Sequence, residues 1–367
     1  MRLGVEAALV DDVLLRGDVE VADGRIVAVG LGGAPGSGIA VAGFVDLQVN
    51  GFGGVDFMTA DASGYRRAGE ALLETGVTAY QPTLITSPED DLVAALTEVP
   101  AGGGGDGPRV LGAHVEGPFL SPARLGVHPA AERRDPDPAL LLRLLGAGPV
   151  SQLTLAPELP GALELVDLLH EHRVVVSFGH TDATAAEAYA GFDRGVTTVT
   201  HLFNTMRPLR HRDPGIVGAA LAREDVIVQI ILDGRHLADE TALLVLRAAP
   251  GRVALVTDAV AAAGTANGDG RIRLGAVELE VRDGVARGLD GALAGSTGTM
   301  IDAIRNLAAL DVPLADALAA ATSAPARAAR RPDVGALAPG AAADVVVLDD
   351  ALEIKRVLVA GTERVAA

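Results

Sequence analysis

The chain has 367 residues, of which 49% are hydrophobic and 21% charged, and its formal net charge is −18. This length is enough for one barrel of about 250 residues and a smaller unit. The acidic charge argues against nucleic acid or an anionic membrane as a partner, and the lack of cysteine excludes disulfides, a thiolate nucleophile and cysteine-ligated zinc. No apolar stretch reaches the ~18 residues that span a bilayer, and no signal-peptide pattern is present, so we expect a cytoplasmic protein.

Both ends of the chain show the pattern of short β-strands. Near the start, apolar runs at residues 5–15, 18–21 and 25–29 surround Asp23-Gly24, and Asp-Gly between alternating apolar residues predicts a hairpin. Near the end, residues 345–348 and 354–359 have the same character. Neither end has enough apolar surface to fold alone, so we predict that residues 1–42 and 333–367 form one small β-sandwich domain.

The middle of the chain, residues 43–332, alternates apolar strands with helices. The eight strand candidates are residues 44–49, 79–84, 110–115, 153–156, 174–178, 197–200, 226–232 and 253–257. The helical segments between them include 63–75, 88–98, 139–145, 161–170, 183–193 and 238–248. β-branched strands that alternate with helices favour a parallel sheet, and eight of them favour a closed (β/α)8 TIM-like barrel.

Two further features follow from this pattern. Hairpin-like Asp283-Gly284 and Asp290-Gly291 predict a β insertion near residues 265–295, after which helices at 299–309 and 314–320 close the barrel. The segment 101–107 (AGGGGDG) is of low complexity, and we expect it to be a surface loop.

Histidines end two neighbouring strand candidates. His180 follows residues 174–178 and His201 follows residues 197–200, with a helix between them that starts with an N-cap at Thr181-Asp182. Parallel strands of one βαβ unit would deliver both imidazoles to the same edge of the barrel. A single histidine in this position is more often a buried, satisfied side chain, but the matched pair favours a metal site.

Carboxylates end three more strands. Glu116 follows the third strand, Asp233 the seventh and Asp258 the eighth; the other polar strand ends are Gln48, Asn50 and His114. Two imidazoles and one carboxylate leave a fourth position open, as in catalytic zinc sites, so we predict Glu116, His180 and His201 as the ligands. Asp258 would take a proton from water whose pKa the metal lowers, or alternatively it caps the turn after its strand. No serine lies in a nucleophile elbow, so covalent catalysis is the weaker interpretation.

Ten short motifs together resemble a known family. In chain order they are GFVDLQVNGFGG (43–54), PTLIT (82–86), HVEGPF (114–119), LAPE (155–158), GHTDAT (179–184), THLFNTM (200–206), DPGIVG (213–218), LDGRH (232–236), LVTDA (255–259) and LAGST (293–297). In this order and at this spacing the chain resembles the amidohydrolase superfamily and, within it, the N-acetylglucosamine-6-phosphate deacetylases. The resemblance runs nearly from end to end.

The resemblance implies a reaction and roles for individual residues. The reaction would be hydrolysis of the acetamide of N-acetylglucosamine 6-phosphate, which gives glucosamine 6-phosphate and acetate. The family pattern matches Glu116, His180 and His201 to metal ligands. It matches Asp258 to the general base and acid, and His128 to a histidine that polarises the amide carbonyl.

The resemblance also implies substrate contacts. Asn204 and Thr205 match a pair at the sugar phosphate, with the Thr205 backbone N–H as donor, and Arg212 and His236 match cationic groups on the phosphate side. At least one of those cations usually comes from a neighbouring subunit, which implies a homodimer. The expected substrate-binding residues are Val127, His128, Asn204, Thr205, Arg212, Asp233, His236, Leu293, Ala294 and Gly295. Without the resemblance, the sequence fits equally well with His128 and Arg212 as loop residues that have no role and His236 as an ordinary residue at a helix start.

Two positions depart from the patterns of relatives. Many amidohydrolases have His-x-His after the first strand, where this chain has Gln48-Val49-Asn50, a variant that also occurs among the deacetylases. Amides are poor ligands beside imidazole, so we predict one divalent metal ion per subunit. Zinc suits the ligand set best, with iron, manganese, nickel or cobalt as alternatives. Leu125 stands where relatives often have a lysine, which changes the charge of the loop before His128.

Three other functions compete with this one. A deacetylase for N-acetylgalactosamine 6-phosphate, the C4 epimer, would have the same motifs. A non-catalytic scaffold is disfavoured because Glu116, His180, His201 and Asp258 are all present. A general amidase for uncharged substrates is disfavoured if Arg212 serves a phosphate. The motifs fit amino-sugar catabolism and cell-wall recycling equally well.

Overall fold

Eight parallel strands form a nearly closed barrel at the centre of the molecule. The computed structural model of the chain describes residues 1–33, 36–101, 107–266 and 268–366. The strands are β1 (Ala7–Val10), β2 (Val13–Arg16), β3 (Asp18–Ala22), β4 (Arg25–Leu31), β5 (Ile39–Ala42), β6 (Phe44–Val49), β7 (Gly51–Phe52), β8 (Val55–Asp56), β9 (Val77–Ile85), β10 (Arg109–Val110), β11 (Ala113–Glu116), β12 (Val150–Leu155), β13 (Val175–Phe178), β14 (Thr198–Val199), β15 (Ile227–Ile230), β16 (Val253–Leu255), β17 (Gly270–Leu274), β18 (Val277–Arg282), β19 (Val285–Gly288), β20 (Val345–Leu348), β21 (Ile354–Val359) and β22 (Thr362–Ala366). The helices are α1 (Ala62–Glu74), α2 (Glu89–Glu98), α3 (Pro138–Ala147), α4 (Ala162–Glu171), α5 (Ala185–Phe192), α6 (Gly215–Ala222), α7 (Asp239–Ala248), α8 (Met300–Ala309), α9 (Leu314–Ala319) and α10 (Ser323–Ala328).

The barrel strands follow one another in chain order. They are β6, β9 and β11 to β16, and each pairs in parallel with the next. Helices between successive strands cover the outside, so the strands are buried on both faces, which explains their apolar, β-branched sequences. The predicted (β/α)8 fold is confirmed. It places the carboxyl ends of all eight strands at one mouth, where barrel enzymes carry their active sites.

The barrel closes between β6 and β16 without a regular ladder. One parallel bridge, between Val49 and Ala259, joins the two strands near the mouth. Further from the mouth, the carbonyls of residues 320 and 321 accept the N–H groups of Leu255 at 2.7 Å and Val45 at 2.9 Å. The turn after α9 therefore fills the gap between the first and the eighth strand. We call this region the β6–β16 seam.

Buried polar side chains bond to one another inside the barrel. His114 Nε2 lies 2.7 Å from Thr154 Oγ1, which lies 2.7 Å from Thr200 Oγ1, and Ser177 Oγ lies 2.6 Å from the same Thr200 oxygen. Burial lowers the pKa of His114 to about 4, so its ring is neutral near pH 7. Because His114 is two residues before Glu116 on the same strand, this network supports the floor of the barrel mouth.

Side-chain caps determine where several helices begin. Asp61 caps α1 and Asp137 caps α3, each by accepting a backbone N–H of the first turn. At α5, Thr184 and Glu187 form a capping box. The predicted start of this helix at Thr181-Asp182 was wrong, because those two side chains bond to neighbouring loops instead.

Strands from both ends of the chain share one sheet. Its order is β2-β1-β5-β20-β21-β22, and β3 and β4 form a separate antiparallel hairpin around the predicted Asp23-Gly24 turn. Val21 and Ile26 of the hairpin belong to one buried cluster with Ala40 and Val345 of the larger sheet. The two sheets therefore enclose a common apolar core, as a β-sandwich does.

β17, β18 and β19 form an antiparallel sheet within the predicted insertion. The third predicted strand is broken into β10 and β11, with Gly112 at φ +99° between them. The glycine-rich segment 101–107 falls mainly on residues outside the described ranges. Among the described helices, none is long and apolar enough to cross a membrane.

Candidate active site and metal centre

Three side chains of ligand type meet at the barrel mouth. Glu116 ends β11, and His180 and His201 follow β13 and β14. The Nε2 atoms of the two histidines lie 3.1 Å apart, and they lie 3.3 Å and 3.0 Å, respectively, from Glu116 Oε1. All three residues are buried, and one ligand atom from each lies within 4.8 Å of the others. The structure therefore brings together the three predicted metal ligands.

The hydrogen bond of His180 to the backbone leaves its Nε2 available to a metal. His180 Nδ1 donates to the backbone carbonyl of Arg124 at 2.9 Å, so its lone pair is on Nε2. Burial lowers the pKa of His180 to about 4, which keeps the ring neutral. His201 Nδ1 is buried with no hydrogen-bond partner among the described residues. Two imidazoles and one carboxylate form the donor set of a catalytic zinc site, so these residues fit a divalent transition metal.

Glu116 is an ionised carboxylate inside the barrel. Burial alone would raise the pKa of Glu116, but the imidazoles of His128, His180 and His201 beside it hold that pKa well below its ordinary value. His128 Nε2 lies 3.6 Å from Glu116 Oε2, the oxygen that does not face the other two rings. The centre therefore carries a fixed negative charge close to three imidazoles.

Asp258 faces the same pocket from the end of β16. Burial raises the pKa of its carboxyl to about 6, and the charge of Glu116 adds to the rise. Asn50 Nδ2 donates to Asp258 Oδ1 at 2.7 Å. No backbone N–H of a described residue donates to the Asp258 side chain, so the alternative role as a turn cap has no support. A carboxyl that titrates near neutrality can both take and return a proton.

His128 is held over the pocket by the loop that follows β11. Its Nδ1 lies 3.0 Å from Thr86 Oγ1, and its ring centroid lies 4.4 Å from that of His180. It is 6% exposed, unlike an ordinary loop histidine. With Nδ1 engaged by Thr86, Nε2 is the nitrogen that faces the centre of the pocket.

The pocket has a volume of about 260 Å³. Its walls include seven of the predicted substrate-binding residues besides His128: Val127, Asn204, Thr205, His236, Leu293, Ala294 and Gly295. Leu274 of β17 also contributes, so the inserted sheet covers one side of the mouth. The metal centre, Asp258 and these walls therefore form one continuous site.

Two predicted substrate residues lie outside this lining. Asp233 accepts the backbone N–H groups of residues 235 and 236 at 2.9 Å and His236 Nδ1 at 2.8 Å, so its carboxylate orients His236. Arg212 is exposed and does not line the pocket.

A chain of ion pairs joins the loops around the mouth. Arg124 donates to Asp182 Oδ1 at 2.8 and 2.6 Å, and Arg207 donates to Asp182 Oδ2 at 3.2 Å and to Asp213 at 2.8 to 3.0 Å. These side chains are about one-third exposed, so each pair adds little stability. Together they connect the loops that follow β11, β13 and β14.

Sequence reasoning missed several contacts of this site. Thr86 lies in the PTLIT motif directly after β9, so the strand-end rule could have found it. The roles of the Arg124 carbonyl and Leu274 depend on how a long loop and the inserted sheet fold over the barrel, and no local pattern marks them. Gln48 and Asn50 were interpreted only as residues that do not bind a metal.

Comparisons with known proteins agree with this site. The amidohydrolase family model matches residues 39–364. The N-acetylglucosamine-6-phosphate deacetylase of Homo sapiens is 38% identical over 343 residues, which cover 89% of this chain and 83% of that protein. The N-acetylgalactosamine-6-phosphate deacetylase of Escherichia coli is 36% identical over 327 residues, which cover 87% of this chain and 85% of that protein.

A solved structure extends the likeness to the fold. It is a variant of the N-acetyl-D-glucosamine-6-phosphate deacetylase of Mycobacterium smegmatis in complex with N-acetyl-D-glucosamine-6-phosphate. It is 38% identical with a TM-score of 0.92, and the match covers 100% of this chain and 99% of that chain. The resemblance drawn from the ten motifs is confirmed. The chain belongs to the amidohydrolase family and, within it, to the group that contains the N-acetylglucosamine-6-phosphate deacetylases.

Proposed function

We propose that the protein is a metal-dependent deacetylase that hydrolyses N-acetylglucosamine 6-phosphate to glucosamine 6-phosphate and acetate. The observation that carries this proposal is the convergence of Glu116, His180 and His201 in one pocket that Asp258 also faces. Nearly full-length similarity to deacetylases of this specificity supports the choice of substrate.

Glu116, His180 and His201 would hold one divalent ion, with zinc as the first candidate and iron, manganese, nickel or cobalt as alternatives. When bound, such an ion supplies a Lewis acid that acidifies water and polarises a carbonyl. Gln48 and Asn50 occupy the positions where other amidohydrolases add histidine ligands, and both amides already donate to carboxylates. One ion per subunit is therefore expected.

Asp258 would carry out both proton transfers. Its carboxylate would accept a proton from the water that attacks the acetamide carbon. It would then return that proton to the amine nitrogen as the C–N bond breaks, so that acetate and the amino sugar leave. His128 would donate Nε2–H to the carbonyl oxygen while negative charge develops there. His128 is buried and Asp258 is half-buried, which strengthens these interactions because less water competes with them.

The sugar phosphate would lie along the wall formed by Asn204, Thr205 and His236. Among the described residues that line the pocket, none is arginine or lysine. Arg212 lies exposed on the loop after β14, and its side chain makes no hydrogen bond or ion pair with a described residue. We therefore propose a homodimer in which Arg212 of each subunit completes the phosphate site of the other.

A substrate panel tests the reaction. Purified protein with its metal content measured should release acetate from N-acetylglucosamine 6-phosphate far faster than from unphosphorylated N-acetylglucosamine. Comparable kcat/KM values for both substrates would contradict the phosphate site. Elemental analysis that repeatedly finds two divalent ions per chain would contradict the single-metal proposal.

N-acetylgalactosamine 6-phosphate is the second candidate substrate. The Escherichia coli deacetylase of that name is almost as similar to this chain as the human glucosamine enzyme, at 36% against 38% identity. Including this epimer in the panel decides between them. A kcat/KM that favours the galactosamine epimer would replace the main proposal without changing the site or the chemistry. A non-catalytic scaffold remains disfavoured, because it has no need of a buried ligand cluster facing Asp258.

A further inference from the structure

Two amide side chains at the end of β6 each donate to one carboxylate of the site. Gln48 Nε2 donates to Glu116 Oε1 at 3.0 Å, and Asn50 Nδ2 donates to Asp258 Oδ1 at 2.7 Å. Both amides are buried, at 0% and 2% exposure. Because side chains alternate along a strand, residues 48 and 50 point to the same side, into the barrel mouth.

The direction of each amide follows from chemistry. An ionised carboxylate only accepts hydrogen bonds, so each amide must turn its NH2 group toward it. The opposite ends, Gln48 Oε1 and Asn50 Oδ1, are then buried with no hydrogen-bond partner among the described residues. A buried, unpaired amide oxygen destabilises a fold, so stability alone does not account for two amides in this place.

The backbone under both amides is anchored at the β6–β16 seam. Asn50 N–H donates to the Ala259 carbonyl at 2.8 Å. Asp46 accepts Gln48 N–H at 3.2 Å, and it also accepts the N–H and the hydroxyl of Thr257 at 3.2 and 2.6 Å. The two amides therefore have fixed positions relative to the carboxylates that they contact.

We propose that Gln48 and Asn50 are positioning residues with separate tasks. Gln48 orients Glu116 as a metal ligand. Asn50 engages Oδ1 of Asp258 and so holds that carboxylate with Oδ2 toward the reacting water. The assignment rests on the proposed deacetylase function for Asn50. For Gln48 it rests only on the predicted ligand set.

Substitutions that keep the shape but remove the donor separate the two tasks. Asn50→Leu should keep the wild-type metal content and KM for N-acetylglucosamine 6-phosphate, while kcat falls by about 10- to 100-fold. Gln48→Met should lower the affinity for Zn²⁺, measured by titration of the metal-free protein, by about 10- to 100-fold. Its kcat should recover toward the wild-type value at saturating Zn²⁺. Each variant serves as the control for the other.

A double-mutant cycle tests whether Asn50 acts through Asp258. In an Asp258→Asn background, which has already lost the base, adding Asn50→Leu should reduce kcat by less than twofold. A further 10- to 100-fold loss would overturn the assignment. So would wild-type kcat in Asn50→Leu, or wild-type Zn²⁺ affinity in Gln48→Met.

Two measurements distinguish a misfolded variant, a wrong proposed function and a wrong assignment of the amides from one another. Thermal unfolding checks that each variant is folded, and Asn50→Ala and Gln48→Ala, which also lack the donor, replace any variant that is not. If the wild-type protein does not deacetylate the sugar phosphates, the proposed function fails, and with it the task assigned to Asn50. The Zn²⁺ titration of Gln48→Met still decides the task of Gln48, because it needs no substrate.

Discussion

A left-handed backbone conformation occurs at His180, His201 and Asp258 of the pocket. The φ angles are +47° at His180, +31° at His201 and +50° at Asp258. Such angles cost a residue other than glycine on the order of 1–3 kcal/mol, and they persist only where the surrounding structure enforces them. Each of the three comes just after a barrel strand, so the rigid barrel supplies that constraint. Strain of this kind is typical of functional sites and supports the assignment of these residues.

Asp46 is a buried carboxyl beneath the same mouth. Burial raises the pKa of Asp46 from 3.8 to about 7, although hydrogen bonds from Thr257 and Gln48 oppose the rise. Because the pKa in the folded state is higher than in the unfolded state, folding favours the protonated form. The associated stability is complete below about pH 4 and is lost as the pH rises through about 7, with a total of about 4 kcal/mol.

Replacing Asp46 by asparagine should remove this pH dependence. Asparagine has the shape of the protonated acid, and its oxygen can still accept the N–H groups of Gln48 and Thr257. We expect the melting temperature of Asp46→Asn to rise relative to the wild-type value as the pH increases from 5 to 8. Scanning calorimetry at several pH values measures the difference. The exposed turn variant Asp311→Asn should follow the wild-type trend. A constant difference between Asp46→Asn and wild type over this range would contradict the prediction.

At the scale of elements, the sequence predicts strands and helices with a strong hydrophobic periodicity, but it does not predict how irregular segments pack. The first barrel strand was predicted with its observed bounds, Phe44–Val49, because a buried strand between Gly43 and Asn50 has clear limits. Helix α6 was missed because Gly215–Ala222 is apolar on all sides and has no amphipathic period. The site was predictable as far as its residues directly follow strands, as His180 does. Residues such as Leu274 were not, since their place depends on how the inserted sheet folds.

A substitution at Gly126 tests how the loop after β11 packs against the pocket wall. This residue has φ +58°, and a Cβ built on it would lie 2.9 Å from Thr205 Cγ2, closer than real Cβ contacts. Gly126→Ala should therefore push the loop away from the wall expected to bind the sugar phosphate. We expect KM for N-acetylglucosamine 6-phosphate to rise by about tenfold, the effect of ~1.4 kcal/mol of lost contact, with metal content unchanged.

Gly251 provides the matched control for this substitution. It has φ +68°, and a Cβ there would have nothing within 4 Å. Gly251→Ala therefore introduces similar backbone strain, roughly 1–2 kcal/mol, without crowding a neighbour. It should lower the melting temperature but leave KM unchanged. Equal effects of the two substitutions on KM would show that backbone strain, and not the contact with Thr205, is responsible.

At the scale of the whole molecule, the two ends of the chain meet beside the strands that begin and end the barrel. β5 leads directly into β6, and the sheet that contains β5 also contains β20 to β22 from the other end of the chain. Within the barrel, residues 320 and 321 fill the β6–β16 seam. Sequence periodicity predicted eight strands but not how the first meets the eighth, because closure depends on one turn that carries no strand pattern.

The proposed homodimer makes a prediction about mixed assemblies. Arg212→Ala removes the phosphate contact given to the partner, and Asp258→Asn removes the base of a subunit's own site, so each homodimer should be nearly inactive. In a mixed dimer, the site that retains Asp258 receives Arg212 from the other subunit and is complete. Co-expression with two affinity tags and tandem purification should therefore recover up to about half of the wild-type kcat, since one of two sites works. If Arg212 served its own subunit, both sites of the mixed dimer would be defective. Activity would then stay at the level of the two parent variants.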